Sequence, residues 1–181
     1  MGAPRLLVFD LTPFGDGSAT GEIKANIIGG WPHGRLLQFY SVGGGKVGAY
    51  RLDESADGEG VRSEAAQAAI SSFAPEIILY RPVPDAPALH ALAMQTIREN
   101  LHIPLVTWIM DDWPARLEVD DPEQFVSLNS DWRWLLERSA LRLSICDRMS
   151  ESFAERYGYP FQAFANGVDP AAWPVRQRLE N

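Results

Sequence analysis

Short apolar runs alternate with helix-like stretches along this chain, and the alternation restricts the folds it can adopt. Residues 5–10 (RLLVFD), 76–80 (EIILY) and 105–110 (LVTWIM) are almost continuously apolar, as strands are when both faces of a sheet are covered. Further strands are predicted at 35–42, 141–145 and 162–165, with 47–52 returning as a hairpin or irregular strand. Helices are predicted at 20–28, 61–73, about 86–100 with Asp85 as N-cap, 131–139 and 147–157. This order predicts an α/β fold, a Rossmann-like three-layer sandwich with a mostly parallel sheet.

The composition is that of one globular domain. The chain has 181 residues, of which 46% are hydrophobic and 22% charged, so it can bury a sizeable core. We expect one domain over residues 1–170, followed at 171–181 by the start of an interdomain linker or simply the end of the piece.

Charge and rare residues exclude several classes of protein. The formal net charge is −8 without any cluster of Lys and Arg, which argues against a nucleic-acid partner. A single cysteine rules out a disulfide within the chain. The three histidines lie far apart without the spacing of metal ligands, so no metal site is predicted. The sequence shows neither a membrane-span-length apolar run nor a signal-peptide pattern, so we expect a cytoplasmic protein.

The loop after the first strand is rich in glycine and opens a helix. In parallel sheets ligands bind beyond the carboxyl ends of the strands, and free N–H groups at a helix start attract anions. The predicted substrate-binding residues of this loop are Gly15, Asp16, Gly17, Ser18 and Thr20. Its glycine spacing is one residue longer than the dinucleotide fingerprint, and no acid ends the second strand, so NAD binding is disfavoured. The alternative is that the glycines serve only the backbone angles.

Polar residues also follow two later strands. Asp111 and Asp112 come after the strand at 105–110 and are the predicted catalytic pair, as bases or as acceptors for sugar hydroxyls. Adjacent residues point opposite ways on an extended chain, so we expect one acid to cap the next helix and the other to face the cleft. Arg81 is predicted to bind a phosphate or carboxylate, or to form a surface salt bridge. Trp113 is predicted to stack on a sugar ring or to join the core.

The segment 144–158 (SICDRMSESFAERYG), followed by 164–169 (FANGVD), is the most specific pattern in the chain. Together with 6–22 (LLVFDLTPFGDGSATGE) and the strand ends at 77–81 and 104–114, it resembles the N-terminal, acceptor-side domain of a GT-B-fold glycosyltransferase of the retaining family-4 type. The resemblance covers nearly the whole chain, although each motif is short.

This resemblance implies a Rossmann-like domain that faces a second such domain across a cleft. The whole protein would transfer a sugar from a nucleotide-sugar to an acceptor with retention, without a metal or further cofactor. The first loop would approach the donor diphosphate, and Asn166 completes the predicted substrate-binding set. Where relatives often carry a sugar-facing histidine, this chain has Asp111 and Asp112. The acidic donor-binding motif would belong to the second, C-terminal domain of the same polypeptide, so this chain alone is expected to be inactive.

Two other functions remain open at this point. The chain could be a free-standing Rossmann-like ligand-binding module, or half of a nucleotide-sugar epimerase with the same two-domain architecture. An uncovered half-cleft also predicts self-association into a homo-oligomer. Some members of the family that the chain resembles bind to the membrane surface. A peripheral location at the inner face of the membrane is therefore an alternative to a freely cytoplasmic protein.

Overall fold

The computed structural model of the protein describes residues 2–32, 34–51 and 60–164. The predicted residues Asn166 and 171–181 lie outside these ranges. Strands and helices alternate through the described part of the chain. They are β1 (Leu6–Asp10), α1 (Ala19–Ile28), β2 (Leu36–Val42), β3 (Lys46–Arg51), α2 (Ser63–Phe73), β4 (Ile77–Tyr80), α3 (Pro87–Glu99), β5 (Leu105–Trp108), α4 (Trp113–Asp120), α5 (Pro122–Arg138), β6 (Leu141–Ser144), α6 (Asp147–Tyr157) and β7 (Gln162–Ala163).

The strands form one sheet in the order β3-β2-β1-β4-β5-β6-β7. All neighbouring strands pair in parallel except β3, which returns antiparallel along β2 as a hairpin. The predicted α/β, Rossmann-like fold with a mostly parallel sheet is therefore confirmed. The chain runs from β1 outwards to β2 and β3, then returns to place β4 on the other side of β1. The carboxyl ends of β1 and β4 thus flank the point where the strand order reverses, which is where open α/β sheets bind ligands.

Two apolar cores cover the two faces of the sheet. Alternate residues of β1 point to opposite faces, so Leu7 and Phe9 enter a large core with buried side chains of α2 to α6. Leu6 and Val8 enter a smaller core beneath α1, with Ile28. In the described residues, no helix is long and apolar enough to cross a membrane.

The helices after β5 differ from the prediction. The structure has a separate helix α4, and α5 begins at Pro122 where the sequence predicted a start at 131. Asp121 accepts a hydrogen bond from the backbone N–H of Gln124 at 3.0 Å and so caps α5. The prediction missed this start because the first turns of α5 are mostly exposed and lack a continuous apolar stripe. The expected cap of α3 was also wrong, since Ala86 and not Asp85 occupies the N-cap position.

A chain of polar side chains joins β4 to two helices. The Tyr80 hydroxyl lies 2.6 Å from Nδ1 of His90, and Nε2 of His90 lies 3.0 Å from Asp131 on α5. Burial raises the pKa of Tyr80 far above its ordinary value, so its hydroxyl stays protonated. His90 is thereby a structural residue that ties α3 and α5 to the end of β4.

Candidate functional site

Three buried ionisable side chains meet at the carboxyl ends of β1 and β4. Asp10 is the last residue of β1 and is only 1% exposed. Its Oδ2 lies 3.3 Å from Nζ of Lys24 on α1, and its Oδ1 lies 3.1 Å from Nη1 of Arg81, which follows β4. Ionised groups are stable in an interior only when paired, and here two cations flank one carboxylate. We call Asp10, Lys24 and Arg81 the buried charge group.

The buried charge group holds the first half of the β1–α1 loop. Nζ of Lys24 donates to the carbonyl oxygen of Thr12 and, at 3.0 Å, to its hydroxyl. Gln38 on β2 donates to the same carbonyl at 2.8 Å and accepts from the backbone N–H of Phe14 at 3.1 Å. Burial lowers the pKa of Lys24, and the Asp10 charge opposes that shift. The loop is therefore anchored from α1 and from β2 by side chains that water does not reach.

Arg81 extends from the buried charge group towards the surface. Its backbone N–H donates to the carbonyl of Phe9 at 3.0 Å, which continues the pairing of β4 with β1. Its Nη2 lies 3.9 Å from Oδ2 of Asp111, beyond hydrogen-bonding distance. The Asp111 side chain is 57% exposed, so this pair is loose and open to solvent. Arg81 therefore forms a buried ion pair with Asp10, where the sequence offered a surface salt bridge, and binding of a phosphate or carboxylate by Arg81 stays a prediction.

The two predicted catalytic acids have different surroundings. Asp112 accepts from the backbone N–H of Ala115 at 3.2 Å, which caps α4, and it pairs with both terminal nitrogens of Arg156 at 2.7 and 3.0 Å. These hydrogen bonds raise the pKa of Arg156 and occupy both oxygens of Asp112. The expected division of roles is confirmed for Asp112, which is a helix cap. Oδ1 of Asp111 accepts a hydrogen bond from the backbone N–H of Trp113 at 3.2 Å, and Oδ2 of Asp111 is directed at Arg81.

The glycine-rich loop is folded on its own side chains. Oδ1 of Asp16 accepts from the backbone N–H of Ser18 at 2.9 Å and from its hydroxyl at 2.5 Å, and these bonds lower the pKa of Asp16. The Ser18 hydroxyl in turn accepts from the N–H of Gly21 at 3.0 Å and caps α1. Gly15 and Gly17 have φ of 63° and 79°, in the region that favours glycine. A Cβ at either would meet nothing within 4 Å, so there is free space beside both glycines.

The remaining predicted residues lie outside this arrangement or at its margin. Thr20 stands in the first turn of α1 and is partly exposed. Trp113 is only 3% exposed and packs edge-to-face on Trp132 with ring centroids 6.1 Å apart. The structure therefore places Trp113 in the core, and stacking on a sugar would require the ring to leave it. Among residues 2–32, 34–51 and 60–164, no group of three or more His, Cys, Asp or Glu side chains could hold a metal ion.

Sequence reasoning missed Asp10, Lys24 and Gln38 as members of the site. The sequence placed Asp10 only at the end of the predicted strand 5–10, and Gln38 only in the middle of the predicted strand 35–42. A signal for Lys24 was present, because it stands four residues before Ile28 and three after Gly21, on the side of α1 that is buried. A lysine at such a position needs a buried anionic partner, and Asp10 is that partner.

No protein-family model matches this chain, and no curated protein matches it either.

Proposed function

We propose that this chain is the N-terminal, acceptor-side half of a retaining glycosyltransferase that uses a nucleotide-sugar donor. A second domain of the same polypeptide would complete the active site, so the chain alone has little or no activity. The observation that carries the proposal is the loop anchored by the buried charge group at the strand-order reversal, with the exposed Oδ2 of Asp111, which faces Arg81, beside it.

The crevice suits a ligand that combines negative charge with hydroxyl groups. The two cations of the buried charge group face one buried carboxylate, and the second positive charge, that of Arg81, is directed towards exposed Asp111 at the crevice. The space beside Gly15 and Gly17 allows a diphosphate to approach the start of α1, where the helix dipole favours an anion, although the N–H of Gly15 itself donates to the carbonyl of Gly21 at 3.2 Å. A nucleotide-sugar carries both parts, a diphosphate and a hydroxylated ring.

Asp111 is the residue we assign to the sugar or the acceptor. Asp111 lies between the end of β5 and the start of α4, and its side chain is exposed. One of its oxygens has no hydrogen bond among the described residues. An exposed carboxylate can accept a hydrogen bond from a sugar hydroxyl or take up its proton. Asp112 cannot easily do so, because the α4 cap and Arg156 already use both of its oxygens.

The test uses the polypeptide encoded by the complete gene, incubated with UDP-, GDP- and ADP-sugars and candidate acceptors. We expect release of the nucleoside diphosphate that depends on the acceptor, and the 181-residue chain alone should show none. Asp111→Ala should lower the rate by about 100-fold. The matched control is Asp120→Ala, which removes an exposed acid at the end of α4 and should change nothing.

Three results would contradict the proposal. Transfer by the 181-residue chain at a rate comparable with the complete protein would show that it is not half of a site. Epimerised sugar without transfer would assign the protein to the epimerases. A reading frame that stops after Asn181, together with tight ligand binding, would leave a free-standing binding module.

A further inference from the structure

A strip of apolar side chains lies over β4, β5 and β6 on the face of the sheet that carries α1. Leu79 packs against the smaller core beneath α1, and the strand register places Val106 beside Leu79 and Leu141 beside Val106. Alternate residues of a strand share a face, so Ile77 and Leu143 point the same way. We call these five residues, Ile77, Leu79, Val106, Leu141 and Leu143, the open strip.

Within the described residues, no helix covers the open strip. The buried side chains of α2 to α6 belong to the large core on the opposite face, and α1 is the described helix that contributes to the smaller core. Leu141 is 38% exposed, and the other members of the strip are half-buried. Central strands of a parallel sheet are ordinarily covered on both faces, so the open strip marks the place of a missing layer.

The direction of the connections explains why the strip stays open. The chain steps from β4 to β5, β6 and β7 in one direction across the sheet, and right-handed connections place the helices between these strands on one face only. We therefore expect a helix on the open strip to follow β7 in the chain. The described residues end beside the strip, because Phe164 packs on Trp108 with ring centroids 5.9 Å apart, and Trp108 shares the face of Val106.

The dimensions of the open strip fit one helix. Three strands spaced about 4.8 Å apart and four residues long give an area roughly 14 Å wide and 13 Å long. An α-helix is about 10–12 Å in diameter, and the ten residues of α1 make a helix about 15 Å long. A stable dimer interface needs about 800 Å² from each partner, which is several times the area of the strip, so a second copy of this chain is a poor fit.

We infer that the open strip binds an amphipathic helix of about ten residues that follows Asn181 in the same polypeptide. The sequence of residues 165–181 does not suit this role, because Pro170 and Pro174 interrupt a helical pattern and the stretch that follows them, 175–181, is shorter than α1. The apolar side of the helix would replace water over the leucine and valine side chains of the strip. This inference rests on the proposed second domain, which is the part of the polypeptide that would contain the helix.

The experiment uses the polypeptide encoded by the complete gene, with Leu141 replaced by the photo-reactive residue p-benzoylphenylalanine. After irradiation and digestion, mass spectrometry should identify a cross-link from position 141 to one segment C-terminal to Asn181 in the same molecule. The control places the photo-reactive residue at Val126, which is 70% exposed on α5, a helix of the opposite face. The control should give no cross-link to that segment.

A second measurement tests whether the strip is open in the 181-residue chain. Leu141→Glu should lower the fluorescence of ANS, a dye that binds exposed apolar surface, by about twofold or more, because it places a charge in the strip. The matched control, Val126→Glu, makes the same change in charge on the other face and should leave the fluorescence nearly unchanged. Thermal unfolding of each variant confirms that it folds.

Four results would overturn the inference. They are a cross-link between two copies, a cross-link to residues 165–181, no cross-link from position 141, and equal ANS fluorescence of the two glutamate variants. Acceptor-dependent sugar transfer without the expected cross-link would refute this inference alone. The expected cross-link without transfer would keep the inference and refute the proposed sugar transfer. A reading frame that stops after Asn181 would refute both.

Discussion

Replacing Lys24 by methionine tests whether the buried charge group holds the fold and the loop. Methionine keeps the length and the apolar stem of the side chain but removes the ammonium group. The substitution therefore deletes the 3.3 Å ion pair with Asp10 and the two hydrogen bonds to Thr12, and it leaves helix α1 able to form.

The size of the effect follows from the burial of the pair. The side chains of Lys24 and Asp10 are 1% and 2% exposed, and breaking such a buried pair costs about 3–5 kcal/mol. Arg81 still neutralises Asp10 after the substitution, so we expect the lower end, about 3 kcal/mol. That loss should lower the melting temperature by roughly 6–12 °C for a domain of this size.

The assay is urea unfolding, followed by circular dichroism and tryptophan fluorescence. The urea midpoints of the variant and the natural protein are compared, provided that their m-values, the slopes of unfolding free energy against urea concentration, are equal. Arg148→Met is the control, because Arg148 is exposed on α6 and loses the same charge. The control should stay within about 0.5 kcal/mol of the natural protein. If Lys24→Met proves as stable as this control, the buried charge group does not stabilise the fold and our argument fails.

Three further predictions concern the loops. Gly21→Ala should destabilise the chain by about 1–2 kcal/mol in urea unfolding, since the new Cβ overlaps Oδ1 of Asp16, displaces it from Ser18 and lies 3.0 Å from the backbone oxygen of Pro13, which outweighs the better helix propensity of alanine. Asp112→Ala should cost about 1–2 kcal/mol through loss of the α4 cap, whereas Asp111→Ala should cost less than about 0.5 kcal/mol. Ser18→Ala should raise the pKa of Asp16 towards its ordinary value of 3.8, as measured by carboxyl NMR titration. Because the pKa of Asp16 is lower in the folded state, this carboxylate stabilises the fold at pH values above its unfolded-state pKa. That contribution is lost as the pH falls through the folded-state pKa of Asp16.

Each of these predictions has a control or a result that contradicts it. Gly43→Ala should be tolerated, because a Cβ there meets nothing within 4 Å, and equal destabilisation at Gly43 and Gly21 would refute the steric argument. Equal losses for Asp111→Ala and Asp112→Ala would show that the cap does not distinguish them. An unchanged pKa of Asp16 in Ser18→Ala would mean that the hydroxyl does not lower it.

The sequence predicted the strands and helices well where burial leaves a periodic trace. The apolar runs of β1, β4 and β5 were found because both faces of a central parallel strand are covered. Helix α5 was found only in part, since its first turns are mostly exposed and show no apolar stripe.

The candidate site was predicted less completely than the fold. Asp111 and Arg81 were found because polar residues at strand ends are visible in sequence, and the loop at 15–21 was found from its glycines. Asp112 was paired with Asp111 as catalytic, and only the structure shows that Arg156, 44 residues away, uses it. Sequence adjacency says nothing about which of two acids a distant arginine reaches.

By itself the sequence determined the order of the strands and of every described helix except α4, and therefore the fold class, because the periodicity of apolar residues records which local face is buried. Tertiary structure alone decided that Asp10 meets Arg81, which stands 71 positions later in the chain. It also decided that Lys24 is the second partner of that carboxylate. The physical reason is that a local pattern reports burial without naming the partner, whereas pairing across the sheet depends on the strand order, which places β4 beside β1.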